Sequence, residues 1–137
     1  MTPGEARSRF VEAQVAHLAT VDGAGAPHIV PISFAIEGDT LYTAVDAKPK
    51  RGTALRRFAN VAANPRVSVL VDEYDADWTR LWWARADGRA SVLADGDALD
   101  HALALLRARY VQYAAAGPIG PAMRITVERW SGWSWSG

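Results

Sequence analysis

The chain has 137 residues, half of them hydrophobic, which suits one domain with a real core and is too apolar for disorder. Its 15 basic and 15 acidic residues cancel, so there is no global positive field to attract nucleic acid, and any anion site must be local. The absence of cysteine excludes disulfides, thiolate chemistry and cysteine-based zinc sites.

Thr2-Pro3-Gly4-Glu5 predicts a helix start, with Thr2 as cap, Pro3 in the first turn and Glu5 completing a capping box. Phe10, Val11 and Val15 give that helix an apolar stripe. A start of this kind is no signal core, and no apolar run is long enough for a bilayer. The expectation is a single soluble, cytoplasmic domain over residues 1–137, with neither nucleic acid nor membrane as partner. A short strand over Leu18–Val21 and a turn at Asp22-Gly23-Ala24-Gly25 follow. From His28 to Ile36 the pattern has period two. Val30, Ile32, Phe34 and Ile36 share one face, and Ile29, Pro31, Ser33 and Ala35 the other. Both faces are largely apolar, so this reads as one strand covered on both sides. Pro31 cannot donate to a ladder and points to an edge or a bulge.

Thr40–Val45 is the next strand, followed by the polar loop 46–52 and a helix with Thr53 at its cap. Leu55, Phe58, Ala59 and Ala62 should face inward there, and Asn64-Pro65 should stop it. Arg66–Asp72 alternates, with Val67, Val69 and Val71 on one face. Asp72–Asp77 is an acidic loop. Thr79–Ala86 and Arg89–Ala94 are strand-like arms about Asp87-Gly88, which is either a hairpin turn or a bulge in one long strand. Asp95-Gly96-Asp97 opens the longest helix. Leu99, Leu103, Leu106, Tyr110 and Tyr113 lie on one of its faces, and Gly117-Pro118 ends it. Met123–Trp135 is the last strand, with a bulge expected at Ser131-Gly132. About six strands joined mostly by short turns, with three helices, make an α+β pattern, and closing the strands into a barrel removes exposed edges.

The strongest chemical signal is Lys48-Pro49-Lys50-Arg51-Gly52-Thr53, three cations just before a helix N-terminus. Free backbone N–H groups and the helix dipole favour an anion there, and arginine can grip phosphate bidentately. Two readings stand, a phosphate clasp and a solvated loop. Six tryptophans, Trp78, Trp82, Trp83, Trp130, Trp133 and Trp135, exceed what so small a core holds. Two or three fit ordinary packing, and the rest suit a planar ligand or a subunit interface. His17, His28 and His101 show no metal-ligand spacing. Ser33 has no nucleophile-elbow context, so its hydroxyl is read as a hydrogen-bonding group for a ligand ring. Asp72, Glu73, Asp75 and Asp77 lack an EF-hand pattern and read as a solvated loop or interface cap.

Leu18-Ala19-Thr20-Val21-Asp22 through His28-Ile29-Val30-Pro31-Ile32-Ser33-Phe34 resembles the opening hairpin of the pyridoxamine 5'-phosphate oxidase-like superfamily. Asn64-Pro65-Arg66-Val67-Ser68-Val69 is similar to its helix-to-strand junction. Arg109-Tyr110-Val111-Gln112-Tyr113 is similar to its Arg-Tyr-Pro-x-Tyr segment, with Val111 in place of proline. Asp72-Glu73-Tyr74-Asp75-Ala76-Asp77-Trp78-Thr79-Arg80-Leu81-Trp82-Trp83, followed by Asp87-Gly88-Arg89-Ala90, resembles a mostly actinobacterial, deazaflavin-dependent subgroup. The resemblance implies an FMN-binding split β-barrel and a homodimer with cofactor sites at the subunit interface. It implies that Lys48, Lys50 and Arg51, with Thr53 opening the helix behind them, hold the cofactor phosphate. Pro31, Ile32 and Ser33 would lie against the isoalloxazine-like ring. Coenzyme F420 is the implied cofactor, with FMN the alternative, and the implied activity is hydride transfer to a small-molecule substrate, with no catalytic side chain required. A cofactor carrier without turnover is the third reading.

Overall fold

The computed structural model describes residues 1–45, 53–113, 117–118 and 120–136, with the side chains of residues 53–55 outside that description. Among these residues the elements are α1 (Pro3–Glu12), β1 (Ala16–Val21), β2 (Pro27–Ile32), β3 (Ala35–Glu37), β4 (Thr40–Ala44), α2 (Thr53–Ala63), β5 (Arg66–Glu73), a 3-10 turn (Trp78–Arg80), β6 (Trp82–Leu93), α3 (Gly96–Arg109) and β7 (Ala122–Ser134). The fold is thus α+β, with three helices and seven strands rather than six. The extra strand arises because the expected run His28–Ile36 is broken at Ser33-Phe34, giving β2 and β3.

That break is what shapes the molecule. All pairings are antiparallel and the strand order is β2-β1-β5-β6-β7-β4-β3. The two strands at opposite ends of this order are consecutive in the chain and separated only by Ser33 and Phe34. Three peptide steps reach at most about 11 Å, so the sheet must curl until its ends nearly meet. The result is a split β-barrel.

Inward residues of β1, β5, β6 and β7 alternate as period two requires: Leu18, then Val67, Val69 and Val71, then Ala84 and Ala86, then Met123, Ile125 and Val127. Helix α1 closes this core with Ala6 and Phe10, and α2 adds Phe58 and Val61. The ring of Phe10 stands edge-on to Phe34 (5.9 Å) and Trp130 (5.2 Å). Helix α3 covers a second core outside β3, β4 and β7, where Leu99, Ala102, Leu103 and Leu106 meet Ala35, Tyr42 and Ala122.

Several local expectations are corrected. Val11 and Val15 are exposed, because the barrel accepts only the Ala6–Phe10 stripe of α1. In α2, Ala59 and Ala62 face solvent, and Asn60 is buried instead, donating to the buried Thr20 hydroxyl (3.0 Å). Residues Trp78–Arg80 form the 3-10 turn, so the following strand starts at Trp82. Asp87-Gly88 is no hairpin turn: β6 runs through it, and the register slips there because Asp87 pairs with Arg129 and Gly88 with Val127. The extra residue of the bulge is Glu128, not Ser131-Gly132, which pair regularly with Arg85 and Ala84. Helix α3 ends at Arg109 rather than near Gly117, with Tyr110 already extended at the cap.

Candidate functional site

Pro31, Ile32 and Ser33 sit where β2 ends and the barrel closes. β2 pairs only with β1, an edge position that Pro31 tolerates because its missing N–H breaks no ladder. Ile32 is buried in the core, whereas Pro31 and Ile29 are exposed on the outer face. The strand is therefore covered on one side only, contrary to the two-sided cover its composition suggested.

Four side chains hold the Ser33-Phe34 link. Thr43 Oγ1, buried on β4, donates to the Ser33 carbonyl (2.8 Å). The Tyr110 hydroxyl accepts from the Phe34 N–H (3.0 Å) and shares its own proton between the Gln14 and Phe34 carbonyls (2.9 and 3.0 Å). Arg109 Nη1 donates to the Phe34 carbonyl (2.9 Å), and Nη2 reaches the carbonyls of Phe10, Val11 and Ala13. These last are carbonyls at the end of α1, which have no partner within the helix. The Arg109 guanidinium also lies over the Phe34 ring at 4.4 Å. The Tyr113 hydroxyl lies 2.7 Å from Ser33 Oγ. Among the described residues, the segment Arg109–Tyr113 thus ties α3, the link and the end of α1 together. The resemblance marks this segment and the periodicity sets Tyr110 and Tyr113 on one helix face, but neither gives Arg109 a role. The available signal was an arginine beside two tyrosines three apart, closing an amphipathic helix.

The outer face of the sheet forms a broad surface leading to Pro31. One register row crosses five strands as Pro31, His17, Leu70, Arg85 and Ser131, and the next as Ile29, Ala19, Ser68, Asp87 and Arg129. Trp83 and Trp133 are cross-strand partners on the same face. At its centre Ser68 Oγ donates to Asp87 (2.5 Å), Arg85 pairs with Asp87 (3.0 Å) and Arg89 with Glu128 (3.6 Å). Ser68, Asp87 and Glu128, together with Ala19, Arg66 and Gly88, line a depression of about 370 Å³.

The tryptophans divide as their number suggested. Trp82 and Trp130 pack against the core, their indole N–H groups donating to Glu73 (3.1 Å) and Asp39 (2.9 Å). Trp83 is half-buried, and Trp78, Trp133 and Trp135 are exposed. The acidic loop is organised by its own turns. Asp75 accepts from the Asp77 N–H, and Asp77 accepts from both the hydroxyl and the N–H of Thr79. Those bonds, the hydroxyl's first, hold the Asp77 carboxyl below its ordinary range. No group of three metal-ligating side chains is found among the described residues, and no described helix is long and apolar enough to cross a membrane. His101 is paired with Glu37 (2.8 Å) at the surface. Lys48, Lys50 and Arg51 lie outside the described residues, and Thr53 opens α2.

A sequence model of one protein family, described as pyridoxamine 5'-phosphate oxidase, matches residues 2–134. No curated protein matches the chain. A solved FAD-binding protein from Mesorhizobium loti is 28% identical, with TM-score 0.66, over 96% of this chain and 92% of that one. The haem storage protein HutZ from Vibrio cholerae is 19% identical, with TM-score 0.72, over 96% and 92%. A conserved hypothetical protein from Mycobacterium tuberculosis is 22% identical, with TM-score 0.69, over 98% and 86%. The last two likenesses are of fold alone.

Proposed function

The chain belongs to the pyridoxamine 5'-phosphate oxidase family, and from that premise we propose that it is a homodimeric oxidoreductase that binds a flavin-type cofactor. Coenzyme F420 is the first candidate and FMN the alternative. The observation that carries this reading is the open sheet face leading to Pro31, which ends beside the tightly held Ser33 link. An exposed, largely apolar strand face edged by a hydroxyl suits a planar ring that carries polar atoms on its rim. The likeness to a FAD-binding protein supports a flavin-type ligand.

When bound, reduced F420 would supply a hydride, and the acceptor's matching proton would come from water, completing a two-electron reduction. The chain's own work is to bind, orient and exclude water. Ile29 and Pro31 offer apolar surface, while Ser33 offers a hydrogen bond at a fixed position. Lys48, Lys50 and Arg51 supply the charge for the phosphate, with Thr53 opening the helix behind them. A second copy, packed on the open face, would cover Leu70, Trp83 and Trp133 and shield the ring.

The same surface suits a carrier without turnover, and the fold is shared by a haem storage protein. Oxidation of reduced F420 by added acceptors separates a reductase from a carrier.

Fluorescence-quenching titrations with F420 and FMN test the cofactor. Charge-assisted bonds to phosphate imply that Lys50→Ala or Arg51→Ala weakens binding by about ten- to a hundredfold. Salt should weaken wild-type binding more than that of either variant, because more Coulomb attraction is there to be screened. Equal affinity for all three proteins would return the loop to a solvated segment. Micromolar FMN binding without F420 binding would reverse the order of cofactors.

A further inference from the structure

We infer that the depression on the outer sheet face is a subsite for the hydride acceptor, and that Arg66 anchors there a small acceptor bearing one carboxylate. The acceptor role rests on the cofactor reading above, whereas the anion site stands on its own geometry. Val67, Val69 and Val71 point into the core, so the alternate residues Arg66, Ser68 and Leu70 of β5 point outward. Arg66 is directly opposite Arg89 across the β5–β6 ladder, and both are exposed. Like charges in that position repel unless an anion lies between them. Each carboxylate in the lining already has its own guanidinium: Asp87 faces Arg85 at 3.0 Å, and Glu128 faces Arg89 at 3.6 Å. Among the described residues the Arg66 side chain makes no hydrogen bond or ion pair, and only its backbone N–H is engaged, by Asn64.

The lining groups and their ion-pair partners are thus Arg66, Arg85 and Arg89 against Asp87 and Glu128. One positive charge is in excess, which matches a monoanion and leaves a phosphate dianion beside two carboxylates. Ala19 and Val21 add apolar surface next to Arg66, and a volume of about 370 Å³ falls within the range of small-molecule sites. Ala19 pairs with Ile29 across β1–β2 and with Ser68 across β1–β5. The depression therefore starts one strand, about 5 Å, from the apolar strand proposed to carry the ring. Arg66 lies two strands and two residues from Ile29, roughly 12 Å, a gap that its side chain and a ligand of a few carbon atoms can span.

Amide NMR titrations of the full chain test this, with benzoate and its uncharged analogue benzamide as ligands. Benzoate should shift the amides of Ala19, Ser68 and Gly88 and bind about fivefold or more tightly than benzamide. Arg66→Gln should bring the two affinities together. Arg66→Lys keeps the charge without the planar fork and should restore part of the difference. Arg66 is exposed, so neither variant should disturb amides elsewhere in the barrel. Benzoate should still bind when F420 is present, because an acceptor must share the protein with its cofactor. A wild-type protein that binds neither F420 nor FMN overturns the cofactor reading and the acceptor role with it. With cofactor bound normally, equal affinity for benzoate and benzamide, a preference that survives Arg66→Gln, or displacement of benzoate by F420 or by equimolar inorganic phosphate overturns the inference alone.

Discussion

Arg109 does the work of several residues. Its guanidinium serves the Phe34 carbonyl on one side and three carbonyls at the end of α1 on the other, and its flat face covers the Phe34 ring. A planar fork spreads five donors over three nitrogens and so reaches well-separated acceptors, whereas an ammonium holds its three donors on a single nitrogen. Arg109→Met should therefore destabilise the protein by about 2–3 kcal/mol in urea unfolding, since it strands partly buried carbonyls. Arg109→Lys should recover little of that loss. A change below about 0.5 kcal/mol would show that water replaces the guanidinium without penalty. The arginine is prominent in the sequence, but its partners lie up to 99 residues away, so its role could not be read there.

At the scale of elements, the β6–β7 ribbon depends on one glycine. Gly88 stands at the register slip, where Glu128 is the unpaired residue, and a Cβ built there would overlap the Thr126 carbonyl oxygen. That neighbour is backbone, so relief requires moving β7 itself. Gly88→Ala should cost about 3 kcal/mol or more in thermal or urea unfolding, the upper range for overpacking a fixed site. An unchanged midpoint would mean that the bulge can relax. Asp87-Gly88 marked this spot in the sequence but left turn and bulge equally open. Local chemistry favours a chain reversal at Asp-Gly, and the partner strands β5 and β7, which pair with β6 on both sides of that dipeptide, decide for continuity.

At the scale of the whole molecule, the outer sheet face has no helix packed on it among the described residues. The face mixes apolar side chains, Ile29, Leu70, Trp83 and Trp133, with the Arg85–Asp87 and Arg89–Glu128 pairs, a composition suited to a self-complementary contact. The wild-type protein should run in light scattering at twice the 14.8 kDa chain mass. Trp133→Glu should run as a monomer with unchanged circular dichroism, because it sets a charge into the aromatic row that the second copy would bury. Cofactor affinity should fall with the dimer. A wild-type monomer that binds cofactor normally would place the site within one chain.

The sequence alone determined whatever depends on neighbours a few residues apart. The capping box at Thr2-Glu5, the alternation of Val67, Val69 and Val71 and the apolar stripe of α3 all follow from short-range periodicity and local hydrogen bonds. The excess of tryptophan over core capacity was equally legible, since counting needs no coordinates. The division of His28–Ile36 into two edge strands was not, because its alternation continues unbroken through Ser33-Phe34. Barrel closure makes that break, with tethers from Thr43, Arg109, Tyr110 and Tyr113, each distant in the chain. Which side of β2 stays open was likewise a tertiary matter. Both its faces are apolar in sequence, and burial goes to the one that meets the core first.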